Sequence, residues 1–507
     1  MTSPSKRAPA RGRLSRRGLL KAGAVGAVGV GLGPALMTSG ARAGLDIYFD
    51  KYRFLLDHAG QGFNLIEYQQ AKAMGYDNWV EWQLDFESID DSVLEDWLAT
   101  EFPSIHMTIP QLFVNFVRPN EQYRAMLDMQ TATTLRSLYS PRQLHERMCE
   151  FWMDHFNINQ GSVAQNYNVF MREVIREHAL GKFPDMLEAS AQDGAMLQYL
   201  TNDTNVVGHA QENYARELME LHSLGVNGPY TETDVEELAK VFTGWTIYSS
   251  QFFVGEFTFF PNLHDYSTKN VLGYTVPGTG KGEGLSMLRR LGRHRSTSEY
   301  IAEKMCKWLL HYQPTAALVR QVARTYRQTD GDIKQMVRQI LDLDNVTKQD
   351  LSKPKLKRPY QLLTSLCRAT YADVEEDPTY GLKRGDALSW SLAAMGQQLF
   401  TYPSPDGFPD EEQAWGRAAL PRWQFAQQLL DGWIYKVVPN LGKCATLVGN
   451  FEQQKLAQQI SLLLTAGLMP DVEVDEIQDY VNQRPFSLQT IREAFALAGS
   501  SPSFQYY

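Results

Sequence analysis

The stretch 209–226 constrains the fold most, because its polar and apolar side chains repeat with the period of an α-helix. At 100° per residue, the apolar side chains fill one arc and the charged ones fill another. The charged arc contains His209, Glu212, Asn213, Arg216, Glu217 and Glu220. His222 falls within the apolar arc, beside Leu218 and Ala215. The pattern predicts an amphipathic helix with a carboxylate–guanidinium face and a histidine on its core side.

The same period recurs along most of the chain and predicts a mainly α-helical protein. The predicted helices include 144–156, 168–180, 212–224, 232–242, 298–310, 317–327, 332–341 and 453–466. Thr231 with Asp234, and Ser296 with Glu299, have the spacing of capping boxes at helix starts. One region differs, because 251–260 and 270–276 are rich in β-prone residues and are separated by a turn. A β-hairpin or a small sheet is predicted there.

Residues 277–284, with the sequence PGTGKGEG, follow this hairpin and predict a flexible loop. The segment lacks the spacing of a phosphate-binding P-loop, and the chain contains no dinucleotide fingerprint. The predicted fold is therefore a large multi-helical bundle of two lobes with a small β-hairpin insert. The lobes are expected at 44–250 and 285–507, with the insert and its glycine-rich loop at 251–284. A single domain over 44–507 is the alternative.

The first 43 residues contain the three parts of a twin-arginine export signal. A basic segment carries Arg16 and Arg17, an apolar stretch follows from Ala22 to Met37, and Ala41-Arg42-Ala43 provides a small-residue cleavage site. The segment predicts export in the folded state to the periplasm or the medium. No other apolar run reaches the roughly 18 residues that a membrane span needs, so none is expected after cleavage.

Removal of residues 1–43 makes the chain strongly acidic. This segment holds eight of the 49 basic residues and none of the 58 acidic ones, which leaves 41 basic residues and a net charge of −17. An acidic surface argues against nucleic acids and anionic lipids as partners. The cysteines at 149, 306, 367 and 444 are widely spaced in apolar helical contexts, which favours buried free thiols over a disulfide or a zinc site.

The charged face of the 212–220 helix is the first candidate site. Glu212 and Glu220 each lie four residues from Arg216, a spacing that permits ion pairs on a helix. One interpretation is a solvated face with weak pairs. The other is a partly buried carboxylate cluster that includes Glu217. Like charges would then raise the pKa of one carboxyl, which suits general acid–base catalysis or a divalent cation.

Two further groups contain histidines. His155 and His222 lie on apolar or aromatic helix faces, so each is either a satisfied core histidine or a metal ligand oriented by a carboxylate. His264 and Asp265 lie in the predicted turn, with Lys269 four residues later. This loop group is either an acid–base or ligand pair, or an Asx-type turn that closes the hairpin.

These residues resemble motifs of the bacterial domain of unknown function 1800 family. The matching segments are Glu212–Val226 with Tyr230-Thr231, Asp234 and Phe242–Thr246; Phe151-Trp152 with His155-Phe156; Arg172–Arg176 with Leu180–Phe183; Ala195–Leu197; His264-Asp265 with Lys269 and Val271–Gly273; and Ser501–Gln505. The resemblance extends from about Tyr52 to the C-terminus. The chain departs from the family pattern at Asp193-Gly194, where a proline is usual, and at Arg295-Ser296, where Pro-Ala is expected after His294.

The resemblance implies an exported bacterial protein, but the family has no established activity. Its members look like exported bacterial proteins. They are often encoded beside a second exported family that resembles sulfatases and alkaline phosphatases. This implies a co-encoded partner and chemistry on the envelope or on polysaccharides. The resemblance also places the candidate residues on family motifs, namely Glu212, Arg216, Glu217, Glu220, His222, His155, His264 and Asp265.

Two classes of function are consistent with the sequence. The leading hypothesis is an enzyme acting on an envelope or extracellular glycan or a related small molecule, with a divalent metal ion as a candidate cofactor. Its carboxylates would act as acid–base groups or ligands, and Arg216 and Lys269 would hold an anionic group. The alternative is a non-catalytic partner that binds another exported protein or a surface polymer through its acidic face.

Overall fold

The structure is a computed structural model that describes residues 49–249, 254–375, 383, 385–417 and 419–507. The predicted export signal lies outside these residues, as do 251–253 at the start of the predicted hairpin. Within the described ranges, no helix is both long and apolar enough to span a membrane.

The described residues form many helices, which we number in chain order. They are α1 Lys51–His58, α2 Leu65–Met74, α3 Tyr76–Leu84, α4 Ser92–Glu101, α5 Ile109–Leu112, α6 Gln122–Tyr139, α7 Gln143–His155, α8 Gln160–Phe170, α9 Phe183–Ala191, α10 Gly194–Tyr199, α11 Glu212–Glu220, α12 Glu232–Val241, α13 Lys281–Gly292, α14 Arg295–Leu309, α15 Ala316–Gln328, α16 Ile333–Leu341, α17 Leu343–Val346, α18 Pro359–Ala369, α19 Asp386–Ala394, α20 Glu412–Trp415, α21 Ala419–Asp431, α22 Leu441–Leu447, α23 Leu456–Thr465, α24 Asp471–Asn482, α25 Leu488–Gly499 and α26 Pro502–Gln505. The mainly α prediction is confirmed.

Of three local predictions about helices, one is wrong. The helix predicted over 168–180 is present, but it begins at Gln160 as α8 and continues through a π-helix over Met171–Arg176, whose last residue forms two hydrogen bonds of 2.8 Å to Glu146. The capping box expected at Ser296 is absent, because His294 is the N-cap and its Nδ1 accepts from Ser296 N at 3.1 Å. The capping box of Thr231 and Asp234 is present at the start of α12.

The strands are short and form two-stranded sheets. They are β1 Trp245–Ser249, β2 Val254–Phe259, β3 Lys269–Val271, β4 Tyr274–Val276, β5 Asp373–Val374 and β6 Val437–Val438. β1 pairs with β2, β3 pairs with β4, and β5 pairs with β6, all antiparallel. The expected pairing of 251–260 with 270–276 is therefore wrong. Leu272 and Gly273 both have positive φ, as a type I′ turn requires, so 269–276 closes a hairpin on its own.

The glycine-rich segment is only partly a loop, because α13 begins at Lys281. A Cβ at position 284 would collide with the indole of Trp245, so glycine there lets α13 approach the first hairpin closely. Trp245 is fully buried in this contact. The segment thus fixes the hairpins against α13 instead of separating them from it.

One hydrophobic cluster runs through the described chain from Phe54 to Phe504. The C-terminal end is tied to the segment before α18, where Lys355 and Tyr507 exchange backbone hydrogen bonds of 2.8 and 2.9 Å. All four cysteines are buried and free, which confirms the expectation for the thiols. The division into two lobes stays a prediction.

Candidate functional site

The candidate site lies where the C-terminal end of α7, the turn after α11 and the middle of α14 meet. α11 ends as the backbone N–H groups of Leu221 and His222 both donate to the Glu217 carbonyl, at 2.9 and 3.0 Å. This tight turn directs His222 into the core, where it is 1% exposed. Gly225 follows with φ of 86°, and a Cβ there would press on the ring of Tyr300. The turn after α11 therefore packs directly on α14.

His155, the last residue of α7, joins these elements through both of its ring nitrogens. Its Nε2 lies 3.2 Å from the carbonyl oxygen of His222, and its Nδ1 lies 3.0 Å from Nζ of Lys304. A carbonyl only accepts, so we assign the imidazole proton to Nε2. Nδ1 then accepts a hydrogen bond from the Lys304 amine. The lysine thus has an imidazole as its partner in place of a carboxylate.

Burial sets the charge states of these groups. It lowers the pKa of Lys304 to about 8, although Asp154 and Asp406 act in the opposite direction. Burial, followed by the charge of Lys304, holds the pKa of His155 well below its ordinary value and lowers the pKa of His222 to about 3. Both imidazoles are therefore neutral at pH 7, and Lys304 gives up its proton near pH 8.

Glu217 is the residue on the charged face of α11 that belongs to the same candidate site as Lys304. Its side chain is partly buried, and burial together with the nearby Glu220 and Asp406 raises the pKa of its carboxyl against the effect of Arg216. Asp406 is exposed in the loop that follows α19. It acts on both Glu217 and Lys304, so its carboxylate is within electrostatic reach of both.

Two tyrosines complete the rim of the site. Burial raises the pKa values of Tyr199 and Tyr300 to about 12, and Asp406 adds to both shifts. The hydroxyl of Tyr199 donates to the Pro403 carbonyl at 2.8 Å, which fastens the Asp406 loop to α10. A Cβ at Gly407 would overlap the backbone of Asp154, so the loop lies directly on the end of α7.

A chain of buried ion pairs supports α7 beneath the site. Arg358 contacts Asp154 and Glu150, each at 2.6 Å, and Arg147 contacts Glu150 at 2.8 Å. Both arginines also lie over the ring of Trp308. The guanidinium of Arg147 is 4.0 Å from the ring centroid, and that of Arg358 is 4.6 Å from it. Buried arginines with several partners hold their neighbours in one geometry. The network therefore fixes the end of α7 that carries His155.

The remaining charged residues of α11 match the solvated-face interpretation. Arg216 contacts Glu212 at 3.2 Å, Glu220 at 3.7 Å and Glu232 at 2.7 Å. These side chains are between 27% and 74% exposed, and exposed pairs of this kind contribute little to stability. Of the carboxylates on this face, Glu217 and Glu220 are partly buried, whereas Glu212 is exposed.

His264, Asp265 and Lys269 form a different group. Lys269 Nζ contacts Glu283 Oε1 at 2.5 Å and also donates to the Asp265 carbonyl. His264 Nδ1 donates to the Thr243 carbonyl at 2.7 Å, and its Nε2 lies 3.2 Å from the same Glu283 oxygen. The side chains of His264, Lys269 and Glu283 are at most 1% exposed. The group joins the second hairpin to α13.

The carboxylate of Asp265 accepts from the backbone N–H of Ser267 at 2.8 Å, as in an Asx-type turn. Burial by itself would raise the pKa of the Asp265 carboxyl, but the hydrogen bonds from Ser267 outweigh this effect and lower the pKa. Helix α12 lies between this group and α11, because it packs against both α11 and β3. In the described part of the chain, no hydrogen bond, ion pair or ring contact connects His264, Asp265 or Lys269 with His155 or Glu217. The candidate residues therefore form two clusters.

A metal centre receives no support from the geometry of these residues. Among the described residues, no group of three or more His, Cys, Asp or Glu side chains could hold a metal ion. His155 directs both nitrogens to protein partners. Among the described residues, no third side chain joins His155 and His222 to form a metal-binding group.

Sequence reasoning missed Lys304, Asp406, Tyr300 and Glu283. Lys304 did carry a signal, because on a helical wheel it lies 40° from the buried Trp308 and 60° from the buried Ile301. A lysine within the apolar arc of a helix is unusual and marks a buried amine. Asp406 lies in an irregular loop with no periodic pattern, so its position follows only from the packing of that loop.

A model of the family described as protein of unknown function (DUF1800) matches residues 54–506. The chain therefore belongs to this family. No curated protein and no solved structure matched the chain.

Proposed function

We propose that this member of the DUF1800 family is an exported enzyme that performs general acid–base chemistry on an envelope or extracellular glycan or a related small molecule. One observation carries the proposal. The amine of Lys304 is held 3.0 Å from the imidazole of His155, and its pKa is lowered to about 8 beside the raised pKa of the Glu217 carboxyl. Titratable groups whose environments push their pKa values toward neutrality are typical of catalytic acid–base pairs.

In this proposal Lys304 is the base and Glu217 is the acid. The neutral amine takes a proton from a substrate hydroxyl or from water, and the protonated carboxyl of Glu217 gives a proton to the departing oxygen. The two transfers balance, because one proton is taken up and one is given up. The lowered pKa of Lys304 and the raised pKa of Glu217 both shift in the direction that favours proton transfer near neutral pH. His155 is a positioning residue that holds the amine through Nδ1.

The rim of the site suits a polyhydroxylated molecule. Glu220 and Asp406 supply hydrogen-bond acceptors, and Tyr199 and Tyr300 supply apolar ring faces. The chemistry requires no metal, and we assign the His264, Asp265 and Lys269 group a structural role in place of a catalytic one. The alternative function, a non-catalytic partner of a co-encoded exported protein or of a surface polymer, predicts binding without turnover.

The test of the activity compares purified wild-type protein with Lys304→Met and Glu217→Gln. Each is incubated with envelope polysaccharides and with their oligosaccharide fragments, and the products are measured by mass spectrometry. We expect a product with the wild-type protein and at least a 100-fold slower reaction with either variant, in line with the loss of an acid–base group. Stable complexes without any product would favour the binding function and overturn the proposed enzyme.

A second measurement examines Lys304 without knowledge of the substrate. Competitive acetylation of amines at a series of pH values, read by peptide mass spectrometry, reports the protonation of each lysine. Lys304 should titrate near pH 8, whereas exposed lysines have ordinary values near ~10.4. Titration of Lys304 together with the exposed lysines would remove the proposed base.

Export and periplasmic or extracellular location are part of the same proposal, and they rest on the signal in residues 1–43. Replacement of both arginines, Arg16→Lys with Arg17→Lys, should leave unprocessed protein in the cytoplasm. Fractionation and the size of the product on a gel measure this. Normal processing of the double variant would contradict the proposed export route.

A further inference from the structure

An open groove on the surface of α13 is lined by basic and neutral residues, although the chain as a whole is acidic. Its volume is about 620 Å³. The charged side chains that line it are Arg289, Arg290, Arg293 and Arg295, with His294 between them, and no carboxylate is among the lining residues. The full chain has a net charge of −9, so this concentration of arginines opposes the overall charge. Grooves of one charge sign attract ligands of the opposite sign.

The lining residues form a stripe along the exposed face of one helix. Gly282, Ser286 and Arg289 or Arg290 are spaced by three or four residues, so they lie above one another on α13, and Arg293 follows as the C-cap of this helix. The stripe extends for about 16 Å at the ordinary rise of a helix. Its length suits an extended polymer. The small residues at one end leave the groove open, and the ring of Tyr274 forms part of its wall.

Ordinary helix electrostatics account for only part of this pattern. Cations near the end of α13 complement the negative end of its dipole. Arg295, however, is the first residue of α14, where the positive end of the dipole disfavours a cation. The groove therefore extends across two helix ends, and only one of them favours arginine.

The arginines are available to an incoming anion. Arg289 pairs with Glu188, Arg293 with Asp330 and Arg295 with Glu299, and these arginine side chains are 56% to 79% exposed. Exposed pairs of this kind exchange partners at little cost. Among the described residues, Arg290 has no carboxylate partner, and its guanidinium lies 4.4 Å from the centroid of the Tyr274 ring.

We propose that this groove binds a short segment of an anionic polysaccharide, through sulfate or uronate groups on the arginines. A nucleic acid would present phosphates in place of sulfates or uronates, and linear polyphosphate reproduces that backbone chemistry. The inference does not rest on the proposed activity, since none of the groove residues belongs to the site of Lys304 and Glu217. It assigns the protein a docking surface of its own.

The experiment measures binding of dextran sulfate, polygalacturonate and unmodified dextran to the purified protein by isothermal titration calorimetry at 50 and 200 mM salt. We expect at least one anionic polymer to bind, with an affinity that falls as salt rises, and the neutral dextran to show no binding. Preference for dextran sulfate assigns sulfate groups as the ligand, and preference for polygalacturonate assigns uronates. Linear polyphosphate is included, and tighter binding of it than of both polysaccharides would overturn the assignment to a glycan.

Variants locate the binding surface. Arg290→Glu should weaken binding at least tenfold, and the milder Arg290→Gln should weaken it by a smaller factor. Arg338→Glu is the matched control, because Arg338 is an exposed, ion-paired arginine on α16 outside the groove. Lys304→Met should bind as the wild type does, so loss of the activity and loss of docking are separable. Equal binding by wild-type protein and both Arg290 variants would overturn the proposal, as would the absence of salt-dependent binding.

Discussion

Two clusters in this protein contain a lysine, a histidine and a glutamate, and they differ in the partner that each lysine has. Lys269 is fully buried against the carboxylate of Glu283 and the carbonyl of Asp265. Lys304 is partly buried, and no carboxylate of the described residues lies within ion-pair distance of it. Its hydrogen-bond partner is the neutral imidazole of His155.

The comparison shows that residue types alone do not identify a functional site. Opposite charges in contact stabilise the ionised form of both groups, so the cluster around Lys269 is suited to holding the hairpin on α13. A cation that is buried without a counter-charge in contact has a lowered pKa and can exchange its proton. The partly buried site at Lys304 has this second property, and the fully buried cluster around Lys269 lacks it.

The largest expected effect is on stability at the closed cluster. Glu283→Gln leaves the ammonium of Lys269 buried without a counter-charge, and breaking a buried pair in this way costs ~3–5 kcal/mol. Urea unfolding followed by circular dichroism measures the loss. The double variant Lys269→Met with Glu283→Leu is the control, and it should be more stable than Glu283→Gln because no charge is left buried. A loss below ~1 kcal/mol for Glu283→Gln would show that the pair is not structural.

The next effect is a pH dependence at Lys304. Its pKa is about 8 in the folded protein, whereas an unfolded lysine has ~10.4, so between these values the unfolded chain binds the additional proton. The free energy of unfolding therefore rises with pH across this window, and below pH 8 the lysine destabilises the fold. Lys304→Met removes this dependence.

The measurement is the difference in unfolding free energy between wild-type protein and Lys304→Met at pH 7, 8, 9 and 10. All other titrating groups are common to both chains, so their contributions cancel. The wild type should gain on the order of 2 kcal/mol relative to the variant from pH 8 to pH 10. A constant difference across this range would contradict the lowered pKa of Lys304.

The smallest effect on stability is expected for Glu217→Gln. Glu217 lies on a partly exposed face, and among the described residues no hydrogen bond or ion pair involves its carboxylate, so the change should cost at most ~0.5 kcal/mol. Activity should nevertheless be lost, because the amide cannot give up a proton. A thermal melt combined with the product assay measures both. Loss of several kcal/mol would place Glu217 with the structural cluster, and full activity would remove it from the site.

The sequence determined the helical elements, because their periodicity is local. The pattern of 212–220 predicted the helix and its two faces, and Thr231 with Asp234 predicted the start of α12. Local pattern also marked His155, His222 and Glu217 as candidate residues. It did not separate them from His264, Asp265 and Lys269, since both sets consist of the same residue types.

Only the tertiary structure decided which residues share an environment. The two hairpins formed separately because a type I′ turn at Leu272-Gly273 closes 269–276 within itself. Lys304 and Asp406 come to Glu217 from segments about 90 and 190 residues away along the chain, through the packing of α14 and of the loop after α19. Burial and long-range charge set the pKa values, and neither is encoded in any short stretch of sequence. Spacing along the chain fixed the helices, whereas the choice between a structural ion pair and a reactive amine depended on which distant groups surround each lysine.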